Sequence, residues 1–229
     1  FMDKLDITKI SKEINQLGVF SQNNIFEKEE FDFISNQLKN LTKKEKKIYF
    51  PTNFKDYLIK IFKADLKKIL LTKKLIELAD KLDFSKIASR SLGDNVYLEV
   101  LDCYLSKKSK NTILEWHNDI GYNPNSANAE KDFLEKAKST IYKHKTQKSS
   151  MGIKFFIYIT DVKSNDGALG IIPYSHKIVY ALTNLILEKK INLKPYWKLK
   201  DLRNIILQED NKKHFLHYID KNELEKFIE

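Results

Sequence analysis

The segment Gly152-Ile153-Lys154-Phe155-Phe156-Ile157-Tyr158-Ile159-Thr160-Asp161-Val162 constrains this chain more than any other. Its odd positions, Ile153, Phe155, Ile157 and Ile159, are apolar, whereas its even positions, Lys154, Phe156, Tyr158 and Thr160, are mixed. Side chains alternate across a strand, so this pattern predicts one face against a core and the other lining a cleft. Ser164-Asn165-Asp166-Gly167 then reads as a turn, and Ala168 to Ile172 as a short apolar strand ended by Pro173. Together they predict a hairpin.

The chain before this segment has a different period. Leu5, Ile7, Ile10, Ile14 and Leu17 recur at mostly helical spacing until Gly18 stops the pattern, which predicts a helix within residues 3–17. Val19 to Ile25 is expected as a strand. Glu27 to Leu41 is helical again, with acids first and lysines last as the helix dipole prefers. The lysines from Lys43 to Lys47 are expected as a solvated helix end and turn.

From Asp56 to Leu82, residues such as Leu58, Ile61, Phe62, Leu66, Ile69 and Leu70 recur at three and four, predicting one or two amphipathic helices. Gly93-Asp94-Asn95 has turn chemistry, and Val96 to Leu105 has the composition of a strand. Glu130 to Tyr142 reads as a helix or a lysine-rich excursion. Val179 to Lys190, Leu199 to Leu207 and Asn222 to Glu229 read as helices, with Pro195 between the first two. Helices first, then strands interrupted by helices, predict an α+β fold in a single domain, 1–229.

Composition bears mainly on partners. The formal net charge of +10 points to acidic ones. Of the 41 basic residues, however, only Arg90 and Arg203 are arginine, and the lysine excess travels with many Asn and Ile, as in an AT-rich coding sequence. Base readout and bidentate phosphate gripping favour arginine, which argues against nucleic acid as the partner. Cys103 is the only cysteine, excluding an internal disulfide and a cysteine-based zinc cluster. The N-terminal residues Phe1 to Asp6 lack a signal-peptide core, and Phe1 ahead of Met2 reads as an addition. No apolar run approaches the ~18 residues of a membrane span. The expectation is a soluble, cytoplasmic protein.

The chemistry-bearing stretch is Glu115-Trp116-His117-Asn118-Asp119-Ile120-Gly121-Tyr122. If it is extended, His117 and Asp119 share one face and Trp116 and Asn118 the other. An imidazole and a carboxylate so placed supply two ligands of the 2-His-1-carboxylate triad, which leaves positions open on Fe(II). The third ligand, another His, must come from elsewhere. The structural alternative is a carboxylate that merely holds the tautomer of its histidine.

Trp116-His117-Asn118-Asp119, the strand ending in Thr160-Asp161-Val162, and Gly167-Ala168-Leu169-Gly170-Ile171-Ile172-Pro173-Tyr174-Ser175-His176-Lys177, in that order, resemble the phytanoyl-CoA dioxygenase family of Fe(II)- and 2-oxoglutarate-dependent oxygenases. The resemblance covers roughly residues 90–180. It implies a double-stranded β-helix, a jelly-roll or cupin-like core of two facing antiparallel sheets backed by helices, with iron in the mouth between them. Residues 1–92 would form a mostly helical part packed on the major sheet, 93–178 the core strands, and 179–229 a helical and loop insertion preceding final strands that the chain as given lacks.

By the resemblance, His117 and Asp119 match the first two iron ligands. Pro173, Ser175 and His176 match a signature turn near the cleft whose histidine is not an iron ligand. Tyr174 stands where the family usually has glycine, an awkward occupant if the turn needs positive φ. The family's second iron histidine, and the basic residue gripping 2-oxoglutarate, lie on later strands. Beyond His176 this chain has His214 and His217, and Arg203 precedes both.

The resemblance further implies Fe(II) as cofactor and 2-oxoglutarate as co-substrate, with decarboxylation to succinate coupled to hydroxylation of a small organic or acyl substrate. Tyr104, Lys154, Tyr158 and Thr160 are candidate pocket residues. Asn123 to Ser150, which contains His144, is expected as a lid or as the contact for an acidic substrate. The competing expectation is a non-catalytic β-helix relative acting as a binding or scaffold module, possible partners including an anionic one.

Overall fold

The computed structural model describes residues 5–45, 47–63, 65–93, 95–105, 116–117, 131, 134–135, 152–163, 166, 168–194 and 196–228. The described residues combine helices with a small two-stranded sheet, an α+β composition. The chain divides into two compact units. The first comprises Phe1–Ser11, Ser21–Lys110 and Lys154–Ala168, and the second Lys12–Phe20, Asn111–Ile153 and Leu169–Glu229. Helix α1, Ile7–Leu17, begins in the first and ends in the second. No helix among the described residues is long and apolar enough to cross a membrane.

In the first unit, α2 (Lys28–Thr42) buries Ile34, Ser35, Leu38 and Thr42, the spacing of a single helical face. Strand β1 (Lys47–Tyr49) follows. Helix α3 (Phe54–Phe62) starts at Asn53, whose side chain accepts from the Asp56 N–H at 3.0 Å and donates to the Asp56 carboxylate at 2.8 Å, satisfying a first-turn N–H that the helix itself leaves unpaired. Helices α4 (Leu66–Lys81) and α5 (Phe84–Leu92) come next. Gly93 closes α5 at φ 70°, a left-handed C-terminal cap that glycine adopts without strain. Strand β2 (Asp102–Tyr104) runs antiparallel to β1, pairing Lys47 with Tyr104, Ile48 with Cys103 and Tyr49 with Asp102.

The core of this unit gathers Ile34, Leu38, Ile48, Phe50, Leu71, Leu78 and Leu82. Lys68 on α4 is buried beside it, 2.6 Å from Glu45 and 3.3 Å from Asp65. Burial works against the ammonium, but the two carboxylates outweigh it and hold its pKa above the usual lysine value.

The second unit is built on α6 (Ser175–Leu187), α7 (Leu199–Leu207), α8 (Glu209–Leu216) and α9 (Lys221–Ile228). Ile178, Ala181, Leu185, Ile206, Phe215 and Leu224 meet in one core, each at most 2% exposed. Lys177 on α6 forms a half-buried ion pair with Glu223 on α9.

Three expectations change. Val19 to Ile25 forms no strand, since Asn24 sits at φ 56°, which breaks an extended run. The ladder expected over Val96 to Leu105 is confined to β2, with one further backbone bond from the Phe50 N–H to the Leu101 carbonyl at 2.9 Å. Beyond it the partner stays alongside through Thr52, whose hydroxyl donates to the Glu99 carbonyl at 3.2 Å, but Pro51 lacks an N–H and Asn53 begins a helix, so no further rung forms. Neither Gly152 to Val162 nor Ala168 to Ile172 joins a ladder with another described segment, so the expected hairpin is not among the described residues. Against these, Gly18 ends α1 at φ 81° as its position predicts, and the predicted helices at 27–41, 56–82 and 199–207 form within a few residues of their expected bounds.

Candidate functional site

His117 lies in the second unit, directly after a point of extended pairing. Trp116 bridges Trp197 in antiparallel fashion, the Trp197 N–H donating to the Trp116 carbonyl at 2.7 Å. Gly170 faces the Trp116 indole so closely that a Cβ there would stand 3.0 Å from it, which accounts for a glycine in this apolar run. Trp116 is half-buried and His117 exposed, the alternation expected of an extended backbone. The imidazole meets the ring of Tyr196 edge-on, with centroids 5.8 Å apart. Asp119 lies outside the described residues.

Pro173, Tyr174, Ser175 and His176 form the turn into α6. Tyr174 occupies the left-handed region at φ 66°, ψ −6°. Its N–H donates to the Leu17 carbonyl at 2.8 Å, and its side chain is buried in the core of the second unit. Packing and this hydrogen bond offset a backbone conformation that disfavours any residue with a Cβ.

His176 stands in the first turn of α6 rather than at the expected strand end, because residues 168–172 form no described strand. Its ring packs so closely on Gly18 that a Cβ there would overlap the imidazole. Nε2 is 3.2 Å from the Asn15 carbonyl, which can only accept, so the ring carries its proton on Nε2. Nδ1 is buried with no described partner. Burial pushes the pKa below the usual histidine value, and the neighbouring Lys177 adds to this, while the Asn15 carbonyl and Glu223 oppose it. This histidine is a packing element that joins the α1 terminus to α6.

The pocket candidates of the first unit are exposed. Tyr104 on β2 lies beside the Lys47 ammonium, which is 6.0 Å from its ring centroid, 4.8 Å from that of Tyr49 and 3.1 Å from Asp102. Lys154, Tyr158 and Thr160 are exposed on the extended-looking segment, while Ile153 and Ile159 are half-buried. Phe155 stacks on Phe84 with centroids 4.1 Å apart, and Ile159 accepts through its carbonyl from Ser35 Oγ at 2.9 Å. Phe155 and Ile159, both odd positions, thus pack against or bond to other residues of the first unit. Of the expected lid, only Lys131, Leu134 and Glu135 are described.

Among the described residues, no three His, Cys, Asp or Glu side chains come together as a metal site. His214 is 2.9 Å from the Lys190 ammonium and 3.8 Å from Glu188, and His217 packs edge-on against Tyr218. His144 lies outside the described residues. Of the sequence-predicted donors, the described residues supply His117 and do not by themselves complete a 2-His-1-carboxylate set. Sequence reasoning missed Tyr196 and Trp197 as neighbours of the His117 strand, since nothing in their local pattern marks an isolated bridge 81 positions away. It treated Gly18 as a helix stop only, and its second role against His176 carried no sequence signal.

Compared with known proteins, the chain matches no family model, no curated protein and no solved structure.

Proposed function

We propose that this chain is a relative of the Fe(II)- and 2-oxoglutarate-dependent oxygenases, built on a double-stranded β-helix, with His117 and Asp119 as iron ligands. The activity proposed is hydroxylation of a small organic or acyl substrate, coupled to decarboxylation of 2-oxoglutarate to succinate. The observation that carries the reading is the turn at Tyr174. A residue standing where the resembled motif has glycine takes the left-handed conformation that glycine would favour. The H-x-D, the Thr160-Asp161-Val162 segment and this turn also keep the order of the motif. Tyr104, Lys154, Tyr158 and Thr160 are proposed to contact substrate or co-substrate through their polar termini.

A non-catalytic binding or scaffold module is the second reading. It is favoured by the engagement of His176, His214 and His217 with groups of the protein itself. Anaerobic addition of Fe(II) and 2-oxoglutarate to the full-length protein, followed by air, separates the two readings. The oxygenase yields succinate and a raised melting temperature, both lost in His117→Ala and Asp119→Ala. No succinate and no thermal shift in the unaltered protein would leave the binding module in possession.

A further inference from the structure

Helix α3 contributes no buried residue, although its sequence, Phe-Lys-Asp-Tyr-Leu-Ile-Lys-Ile-Phe, is mostly apolar. Nine residues are too few to hold a helix in water by propensity alone, so such a helix ordinarily buries one face. Here the outward positions are the large ones. Phe54 is 78% exposed and Phe62 86%, with Leu58 and Ile61 exposed on the same side at helical spacing. Helix α4 continues the pattern in its first turns, where Leu66 is 60% and Leu70 66% exposed. A helix face left apolar and exposed in this way marks an interaction site.

Charge narrows the partner. Lys55, Lys63 and Lys67 are exposed among these apolar residues, and no ion pair to any of them occurs among the described residues. The acids nearby are engaged: Asp56 by Asn53, Asp65 by Lys60 and Lys68, and Glu77 by Lys73 and Lys74. The surface therefore offers protruding phenyl and leucyl groups amid uncompensated ammonium groups. A second copy of the chain docking through the same face would set these lysines against each other, since a two-fold interface is self-complementary. A groove-binding peptide needs a concavity, and the apolar groups here project outward from a helix.

We propose that the α3 face and the first turns of α4 dock on the surface of an anionic lipid bilayer. Phe54, Phe62, Leu66 and Leu70 enter the boundary between headgroups and acyl chains, and Lys55, Lys63 and Lys67 meet the anionic headgroups. The helices lie on the membrane and do not cross it.

Co-sedimentation of the full chain with vesicles tests this. Vesicles containing phosphatidylserine are expected to bind the protein, vesicles of phosphatidylcholine alone to bind it far less, and added salt to release it. Replacing both aromatics, Phe54→Ser with Phe62→Ser, lowers the partition coefficient by about tenfold or more. Removing each of the three lysines, as Lys→Ala, lowers it by about fivefold per lysine. All five positions are exposed, so circular dichroism and thermal melting should match the unaltered protein. The proposal is overturned by binding that ignores lipid charge, by variants that bind as well as the parent, or by absence of vesicle binding. Self-association that Phe62→Ser abolishes, without vesicle binding, would also overturn it and assign the face to a protein contact.

Discussion

The C-terminal helices of the second unit and the extended segments of the first use similar apolar material and reach different ends. Helices α6 to α9 place Ile178, Leu185, Ile206, Phe215 and Leu224 almost wholly out of water. Residues 96–105 and 154–158 are also rich in large apolar side chains, yet Tyr97, Leu98, Val100, Tyr104, Leu105, Phe156 and Tyr158 remain exposed. A helix satisfies its backbone internally and needs only a face to bury, which nearby helices provide. An extended segment needs neighbours for its N–H and C=O groups as well as for its side chains, and those neighbours are distant in sequence. One short ladder, β1 with β2, provides them here among the described residues.

The contrast is most severely tested at Phe215, which is fully buried in the helical core. Phe215→Ala should lower unfolding stability by about 3–5 kcal/mol in urea titration, through lost burial and the cavity left behind. A loss below about 1 kcal/mol would mean that this core is not the tightly packed region it is described as being.

A smaller effect is expected from pH at His176. Its folded pKa lies below the unfolded value of 6.5, so the folded state takes up its proton less readily. The associated stability is complete above pH 6.5 and is lost as pH falls from there toward the depressed folded value. Melting temperatures compared between pH 7.5 and 5 should therefore drop more in the parent than in His176→Gln. An equal drop in both would show that the contact with Gly18 and Asn15 is indifferent to protonation.

The smallest effect is expected at Phe156, where Phe156→Ser should change stability by no more than about 0.5 kcal/mol. A loss of several kcal/mol would place this residue under cover and erase the difference between the two regions.

The same physics decides what the sequence makes legible. Helical spacing located α2, where Ile34 and Leu38 are buried as their period implies. It located α3 and α4 too, but the stripe that marked them, Leu58, Ile61, Phe62, Leu66 and Leu70, lies exposed while α4 buries Leu71 and Leu78 instead. Gly18 marked a helix end because left-handed backbone favours glycine, whereas Gly93, read as a turn, closes a helix, α5, that the spacing did not announce. Val96 to Leu105 had the composition of a strand, but a ladder also depends on its partner, and Pro51 and Asn53 end that partner early. At the candidate site, the alternation of Trp116 and His117 was readable from spacing. The bridge to Trp197 was not, because pairing between residues so far apart leaves no local periodicity. His176 also fills the space above Gly18, a contact that depends on α1 and α6 meeting and so leaves no local signal in the sequence.

Tyr174 ties two opposing demands to one residue. Its backbone sits in the left-handed region that glycine would occupy without strain, while its ring fills part of the core of the second unit. A glycine there would relax the turn and leave a hole in the core, so no single substitution satisfies both.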